Sequence, residues 1–308
     1  MFTDALMERV IELADASVRR FEPHKLKWMW GEALYTYALS LLDDALGEDR
    51  YLAFNRAYLD AHIEKGYRVD QSDTMAPGLT AYAVYRKTGD ERYLQVVERV
   101  LDYLKNSERV LDYMPNHLGS SPEGKLYPKS VWVDSVMMYG VFASWYGREA
   151  ADDEIYDFAR RQPRLFAEYL QDPEDKLFYH CYWTRAGHTY PRNKVFWGRG
   201  NGWVIGGLPL AIDHLRPGSP ERDEAIAILR ETSAALLPYQ REDGFFETVF
   251  NRPGKTYIES SATALIASGW MQGLADGYLG EEYLEPGLKA FRAVIESLEM
   301  KDGLLSMP

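Results

Sequence analysis

One cysteine, Cys181, stands in a chain of 308 residues. No internal disulfide can form, and a cysteine metal site is excluded. Histidine is scarce too, with six copies at no spacing that metal sites use and no HExxH pair. No apolar run approaches the roughly 20 residues that cross a bilayer as a helix. The N-terminal stretch MFTDALMERVIELADASVRR lacks the basic region, apolar core and cleavage site of a secretory signal. Positive charge is the minor sign, 35 Lys and Arg against 47 Asp and Glu, for a net charge of −12. Nucleic acid needs clustered cations and is disfavoured as a partner, whereas a small anionic ligand needs only a local cationic pocket. A Walker loop and a dinucleotide fingerprint are also missing. Residues 198–203, GRGNGW, match a phosphate loop only in glycine count, because no strand of a βαβ unit leads into them. The expectation is a cytoplasmic protein with no cofactor, no metal and no membrane partner.

What is present is apolar and aromatic. Hydrophobic residues make up 46% of the chain and aromatics 14%, including 22 Tyr and 8 Trp. Apolar positions recur every three and four residues, the helical period. Half-exposed helices are expected at 4–20, 49–65, 90–106, 152–170, 220–239 and 281–298. Helices apolar nearly all round, and so buried, are expected at 25–46, 74–88, 132–146, 200–215 and 259–278. Residues 107–130 hold three prolines and two of the chain's glycines and cannot be one helix. Outside the helices, 177–183 reads as a short strand or extended loop and 244–250 as another strand, and nothing else reads as a strand. A short motif opens several half-exposed helices: GEDRYL at Gly47, GDERYL at Gly89 and GEEYL at Gly280. Its glycine ends one helix, its acids favour the next N-terminus, and its Tyr and Leu begin an apolar stripe.

A repeated helical hairpin with buried members favours a closed ring, an all-α (α/α) barrel of one domain spanning 1–308. The helix count is uneven, six half-exposed against five buried, and the chain stops at KDGLLSMP, which reads as a strand cut short. Three expectations stand: the count is off by one helix, the ring is left incomplete at its C-terminal side, or a C-terminal part is absent from this chain.

Buried helices running in one direction open their N-termini on one rim. The five carry Trp28, Trp30 and Glu32; Asp70, Ser72 and Asp73; Trp132 and Asp134; Trp197, Arg199 and Trp203; Tyr257, Glu259, Ser260 and Ser261. Acids, one arginine and aromatics at one mouth make a bowl with a few aimed polar groups. In 194–215, Gly198, Gly200 and Gly202 would let a ligand approach the backbone closely. Free N–H groups at the helix start beside Arg199 suit a sugar carboxylate. Asp134 sits in VWVDSVMMYGVF, apolar on both sides. A buried lone acid is expected to have a raised pKa and to hold or deliver a proton near neutrality. Asp73, before Thr74 and Pro77, reads equally as an N-cap, and so does Glu259 before two serines. His180 precedes the Gly-rich segment among aromatics. Tyr127 and Lys125 lie in the loop before Asp134, where Tyr127 could close over the site and Lys125 reads as solvated.

The segments DTMAPG, WVDSVMMYG, LFYHCYW, FWGRGNGW and YIESSATAL, in that order over residues 28–283, resemble glycoside hydrolase family 105. Those enzymes are unsaturated rhamnogalacturonyl and glucuronyl hydrolases, with family 88 more distant. The resemblance implies an (α/α)6 barrel, cytosolic action, no metal, and a small anionic oligosaccharide from pectin degradation as substrate. It implies Asp134 as catalytic acid/base and Asp73 as the second carboxylate. His180, Trp197, Arg199 and Trp203 would hold the unsaturated uronate; Trp30, Tyr127 and Glu259, from the rim reading above, are expected to bind substrate as well. Two alternatives stand beside it: a sugar isomerase or epimerase on the same barrel, which would call for paired histidines, and a non-catalytic carbohydrate-binding protein.

Overall fold

The computed structural model describes residues 4–307. The chain divides into two compact units, one comprising Met1–Ser107, Leu118–Ser121 and Ser297–Pro308, the other Glu108–His117 and Pro122–Glu296.

The first unit contains α1 (Asp4–Arg20), α2 (Trp30–Leu46), α3 (Leu52–Lys65), the single turn α4 (Ser72–Met75), α5 (Pro77–Thr88) and α6 (Glu91–Asn106). Residues 77–84 of α5 are all buried, whereas α6 buries one stripe, Tyr93, Val96, Val97, Val100, Leu101 and Leu104, the spacing of a helix with one face on a core. Helices α2 and α5 meet through small hydroxyls. Thr36 and Thr80 share a 2.8 Å hydrogen bond, and Thr80 also donates to the Ala33 carbonyl. In the repeated motif, Gly47 and Gly89 end α2 and α5 with φ of 67° and 66°. Tyr51 and Tyr93 are buried and donate to Asp15 and Asp60. The third copy differs. Gly280 has φ −85°, and the left-handed turn after the preceding helix falls on Gly277.

KDGLLSMP is not a truncated strand. Glu299–Lys301 and Leu304–Ser306 pair antiparallel across Asp302 and Gly303, both at positive φ, the geometry that a two-residue hairpin favours. Leu305 is buried, and Arg20 of α1 donates to the Lys301 and Leu304 carbonyls.

The second unit contains α7 (Val141–Glu149), α8 (Asp153–Leu170), α9 (Gly198–Ile212), α10 (Pro220–Leu236), α11 (Ser260–Ala275) and α12 (Leu284–Glu296). Nearly all of α9 is buried. Among the described residues six helices alternate with five, α4 and α5 counting as one, but the expected burial of the five fails at α2, which buries one face only, Ala33, Thr36, Tyr37, Leu39, Ser40 and Asp43.

The expected helix at 132–146 is divided. Ser130–Trp132 is a strand that pairs with Cys181–Trp183, which pairs in turn with His188–Tyr190, both antiparallel. Its alternation of small or aromatic residues with valine suits a strand. A turn at 133–134 then leads to a five-residue π-helix, Val136–Gly140, and only then to α7. Residues 244–250 form no strand. They make isolated bridges, Trp197 to Val249 and Glu247 to Ile258.

Candidate active site

Three helix starts in the second unit bring their polar residues together. Asp134 lies in the turn between the strand Ser130–Trp132 and the π-helix. Its carbonyl accepts from the N–H groups of both Met137 and Met138, which fixes the turn. The ladder between Trp132 and Cys181 continues with the Val133 N–H donating to the His180 carbonyl at 2.9 Å. That bond seats His180 beside Asp134, with 3.5 Å between His180 Nε2 and Asp134 Oδ2. The Asp134 side chain is 15% exposed. The imidazole is flanked by indoles, with its ring centroid 4.9 Å from Trp132 and 4.7 Å from Trp197.

Burial pushes the Asp134 carboxyl up, but the His180 imidazole, and then His117, pull it down further, so its net direction is downward. This reverses the sequence expectation of a raised pKa. An imidazole within reach favours the carboxylate form more than burial opposes it. Ligand-free, Asp134 is therefore a carboxylate with an imidazole beside it.

His117 sits behind this pair. It is 1% exposed, lies flat on Trp132 with centroids 4.4 Å apart, and its Nδ1 is 2.9 Å from Ser135 Oγ. Burial lowers its pKa to about 4, against a raising influence from Asp134, so it is neutral at pH 7. Sequence reading missed it, because MPNH carries no signal of its own.

Arg199 is the second residue of α9. Its guanidinium lies over the Trp197 ring, 4.7 Å from the centroid. It donates to Glu259 Oε1 at 2.5 Å and is 3.4 Å from Ser261 Oγ. Glu259 is 5% exposed. It stands at the N-cap of α11 but makes no side-chain cap, so its expected capping role is replaced by the ion pair. Its Oε2 has no hydrogen-bond partner among the described residues.

The three glycines of this segment serve protein packing rather than ligand approach. A Cβ on Gly198 would lie 2.6 Å from the Glu247 carbonyl oxygen, one on Gly200 2.8 Å from the Trp197 ring, and one on Gly202 3.1 Å from Leu265. The first N–H of α9 is also taken, since Gly198 donates to the Thr248 carbonyl. Asn201, which sequence reading passed over, joins the site's two halves. Its Oδ1 accepts from the Phe178 N–H at 2.7 Å, and its Nδ2 donates to the Phe178 and Trp197 carbonyls. It ties the backbone two residues before His180 to the start of α9. An asparagine between glycines in an otherwise apolar helix was the available signal.

Tyr127 packs edge-on against Trp132, 5.7 Å between centroids, and is 36% exposed. Trp203 is buried in α9 at 5% exposure. Trp30 and Asp73 belong to the first unit, where both are half-buried. Asp73 is not an N-cap. Gln71 holds that position in a capping box with Thr74, and Asp73 lies in the first turn of α4. Trp28, in the same unit, is a core residue, stacked with Tyr67 and donating to the Thr74 carbonyl. Among the described residues no cluster of His, Cys, Asp or Glu has metal-binding geometry.

Solved structures share this architecture. A protein from Salmonella enterica serovar Paratyphi A, described as a possible member of the GH105 family, superposes with a TM-score of 0.86 at 23% identity, over 97% of this chain and 83% of its own. The unsaturated glucuronyl hydrolase of Bacillus sp. GL1 gives a TM-score of 0.77 at 17% identity, over 96% and 85%. The fold is thus the all-α (α/α)6-barrel class. The sequence profile of Glycosyl Hydrolase Family 88 matches residues 3–307, and the chain belongs to that family of glycoside hydrolases. The unsaturated rhamnogalacturonyl hydrolase YesR of Bacillus subtilis is 26% identical over 300 residues, 97% of this chain and 84% of YesR. An unsaturated 3S-rhamnoglycuronyl hydrolase of Alteromonas sp. is 27% identical over 161 residues, 52% of this chain and 39% of its own. No helix among the described residues is long and apolar enough to cross a membrane.

Proposed function

We propose that this protein removes a terminal 4,5-unsaturated uronic acid from oligosaccharides left by polysaccharide lyases, with rhamnogalacturonan fragments as the substrate class. The observation that carries the reading is Asp134 paired with His180, whose ring lies between two indoles, one of them, Trp197, also carrying the Arg199 guanidinium, in a chain of a glycoside hydrolase family. The terminal ring carries an enol ether, which is electron-rich at C4. Protonated Asp134 gives its proton to C4, and the ring oxygen stabilises the cation that forms at C5. Water adds at C5 and returns a proton to Asp134, so the acid is regenerated. The C5 hemiketal opens, the ring oxygen becomes a hydroxyl on C1, and that hemiacetal expels the neighbouring sugar. No second carboxylate need attack the anomeric carbon, unlike in the two-carboxylate glycosidases.

Asp134 is a carboxylate before substrate arrives, so a proton must reach it. His180 Nε2, 3.5 Å from Asp134 Oδ2, is the adjacent group through which a proton can be relayed, and an anionic substrate that displaces water raises the affinity of Asp134 for it. Trp197 and Trp132 offer ring faces to the sugar, and Arg199 offers donors to a carboxylate or hydroxyl. Asp73 as second carboxylate, and Trp30, Trp203, Tyr127 and Glu259 as lining residues, are part of the same proposal. So are a single catalytic domain over residues 1–308 and a cytoplasmic location. The test is to incubate the protein with unsaturated rhamnogalacturonan disaccharide and follow ultraviolet absorbance of the C=C bond. The absorbance should decay. No decay with any unsaturated uronide removes the proposal.

A further inference from the structure

The three-stranded sheet has two faces, and only one joins the candidate site. Residues directly opposite in antiparallel strands share a face. The register pairs Ser130 with Trp183 and Trp183 with His188, and Trp132 with Cys181 and Cys181 with Tyr190. One face thus carries Trp132, Trp183, His188 and Tyr190. Val131, Tyr182 and Thr189 occupy the other. Tyr127 folds over the first face, 5.7 Å from Trp132 and 6.1 Å from Trp183 between centroids. Trp183 stacks flat on Tyr190, 4.2 Å apart at 7°. The Trp132 indole is pinned by its N–H to Ser130 Oγ. The rings form an unbroken run that begins at His180, 4.9 Å from Trp132, and ends in the open at Tyr190, 42% exposed.

We propose that this aromatic face is a further carbohydrate subsite, binding sugar rings on the leaving side of the cleaved bond, so that the preferred substrate is an oligosaccharide longer than a disaccharide. The occupant follows from continuity. The run starts at the imidazole beside the acid, and pyranose rings present apolar C–H faces that pack on aromatic faces. A rigid stacked pair costs little side-chain entropy on binding. A core-stabilising role alone would give no reason to leave Tyr127 and Tyr190 at 36% and 42% exposure. The direction of the sugar chain rests on the hydrolase reading, whereas the binding of sugar to this face does not.

The experiment has two arms, on wild type, Tyr190→Phe and Tyr190→Ala. In the first, kcat/KM is measured on the unsaturated rhamnogalacturonan disaccharide and tetrasaccharide. Wild type and Tyr190→Phe should favour the tetrasaccharide by about tenfold, and Tyr190→Ala by about twofold, as expected for losing one stacked ring. A wild-type enzyme that turns over both equally, or an alanine variant that keeps the preference, overturns the subsite and leaves the hydrolase reading intact. In the second arm, a saturated tetrasaccharide that cannot react is titrated against tryptophan fluorescence. Wild type and Tyr190→Phe should bind about fivefold tighter than Tyr190→Ala. No binding, or equal binding by a folded alanine variant, overturns the proposal even where no uronide is hydrolysed. Circular dichroism establishes that the alanine variant is folded.

Discussion

At the scale of single residues, the proposed chemistry rests on how the imidazoles beside Asp134 treat its carboxyl. Asp134→Asn keeps the size and polarity of the side chain but cannot carry the proton. Its kcat should fall by about a thousandfold or more, with an unchanged circular dichroism spectrum. Retained turnover would show that the proton comes from elsewhere. His117 yields a different prediction, in stability. Its folded pKa of about 4 lies below the ordinary value near 6.5, so between these values the unfolded chain binds a proton that the folded one refuses. Stability from this residue is full above pH 6.5 and is lost as pH falls towards 4, by about 3 kcal/mol at most. Asp134, also lowered, loses its contribution only below the ordinary carboxylate value near 4, a separate window. Thermal denaturation of His117→Asn from pH 7 to 4.5 should show a flatter decline than wild type, and parallel curves would sink the assignment. Asp134, His180, Trp197 and Arg199 were legible in the sequence because each stands out chemically from an apolar or aromatic run. The sign of the Asp134 shift was not, since it depends on a histidine 46 positions away brought within 3.5 Å. The pairing of Glu259 with Arg199, 60 residues apart, was hidden for the same reason.

At the scale of elements, the helices were readable and most short strands were not; Cys181–Trp183, inside the stretch 177–183, is the exception. Helical periodicity needs ten or more residues, which α6 and α8 supply. Three residues such as Ser130–Trp132 show no period of their own, and VWVD runs on into VMMYGVF as though one helix continued. The ladder to Cys181–Trp183 overrides that continuity and sets Asp134 at its end. Helices α9 and α11 deliver Arg199 and Glu259 to each other, and small residues make their approach possible. A Cβ on Gly269 of α11 would lie 2.0 Å from the Ile205 carbonyl oxygen of α9. Backbone cannot yield as a flexible side chain can. Gly269→Ala should therefore cost about 3 kcal/mol and lower kcat/KM as well, because the start of α11 shifts against Arg199. Calorimetry and uronide kinetics on the same preparation check both. A variant with unchanged melting would mean that the two helices are less tightly apposed.

At the scale of the whole molecule, charge and task point in opposite directions. The chain carries a net charge of −12, and the proposed substrate is an anion. An enzyme that relied on long-range steering would set a free cation field at its site. Here the site's arginine is bound to a buried glutamate at 2.5 Å, which cancels most of its field beyond the first layer of contact. The protein's field therefore repels the uronate until it is within hydrogen-bonding reach, where the pair can offer directed N–H donors. Salt screens the repulsion, with a Debye length that shortens from about 30 Å at 0.01 M to about 8 Å at 0.15 M. Over that range kcat/KM for an unsaturated disaccharide should rise by about twofold, and kcat, measured at saturation, should stay level. The Arg199–Glu259 contact is too short to be much affected by added ions. A kcat/KM that falls with salt would mean that attraction outweighs repulsion at the site, and that some cation other than Arg199 receives the carboxylate.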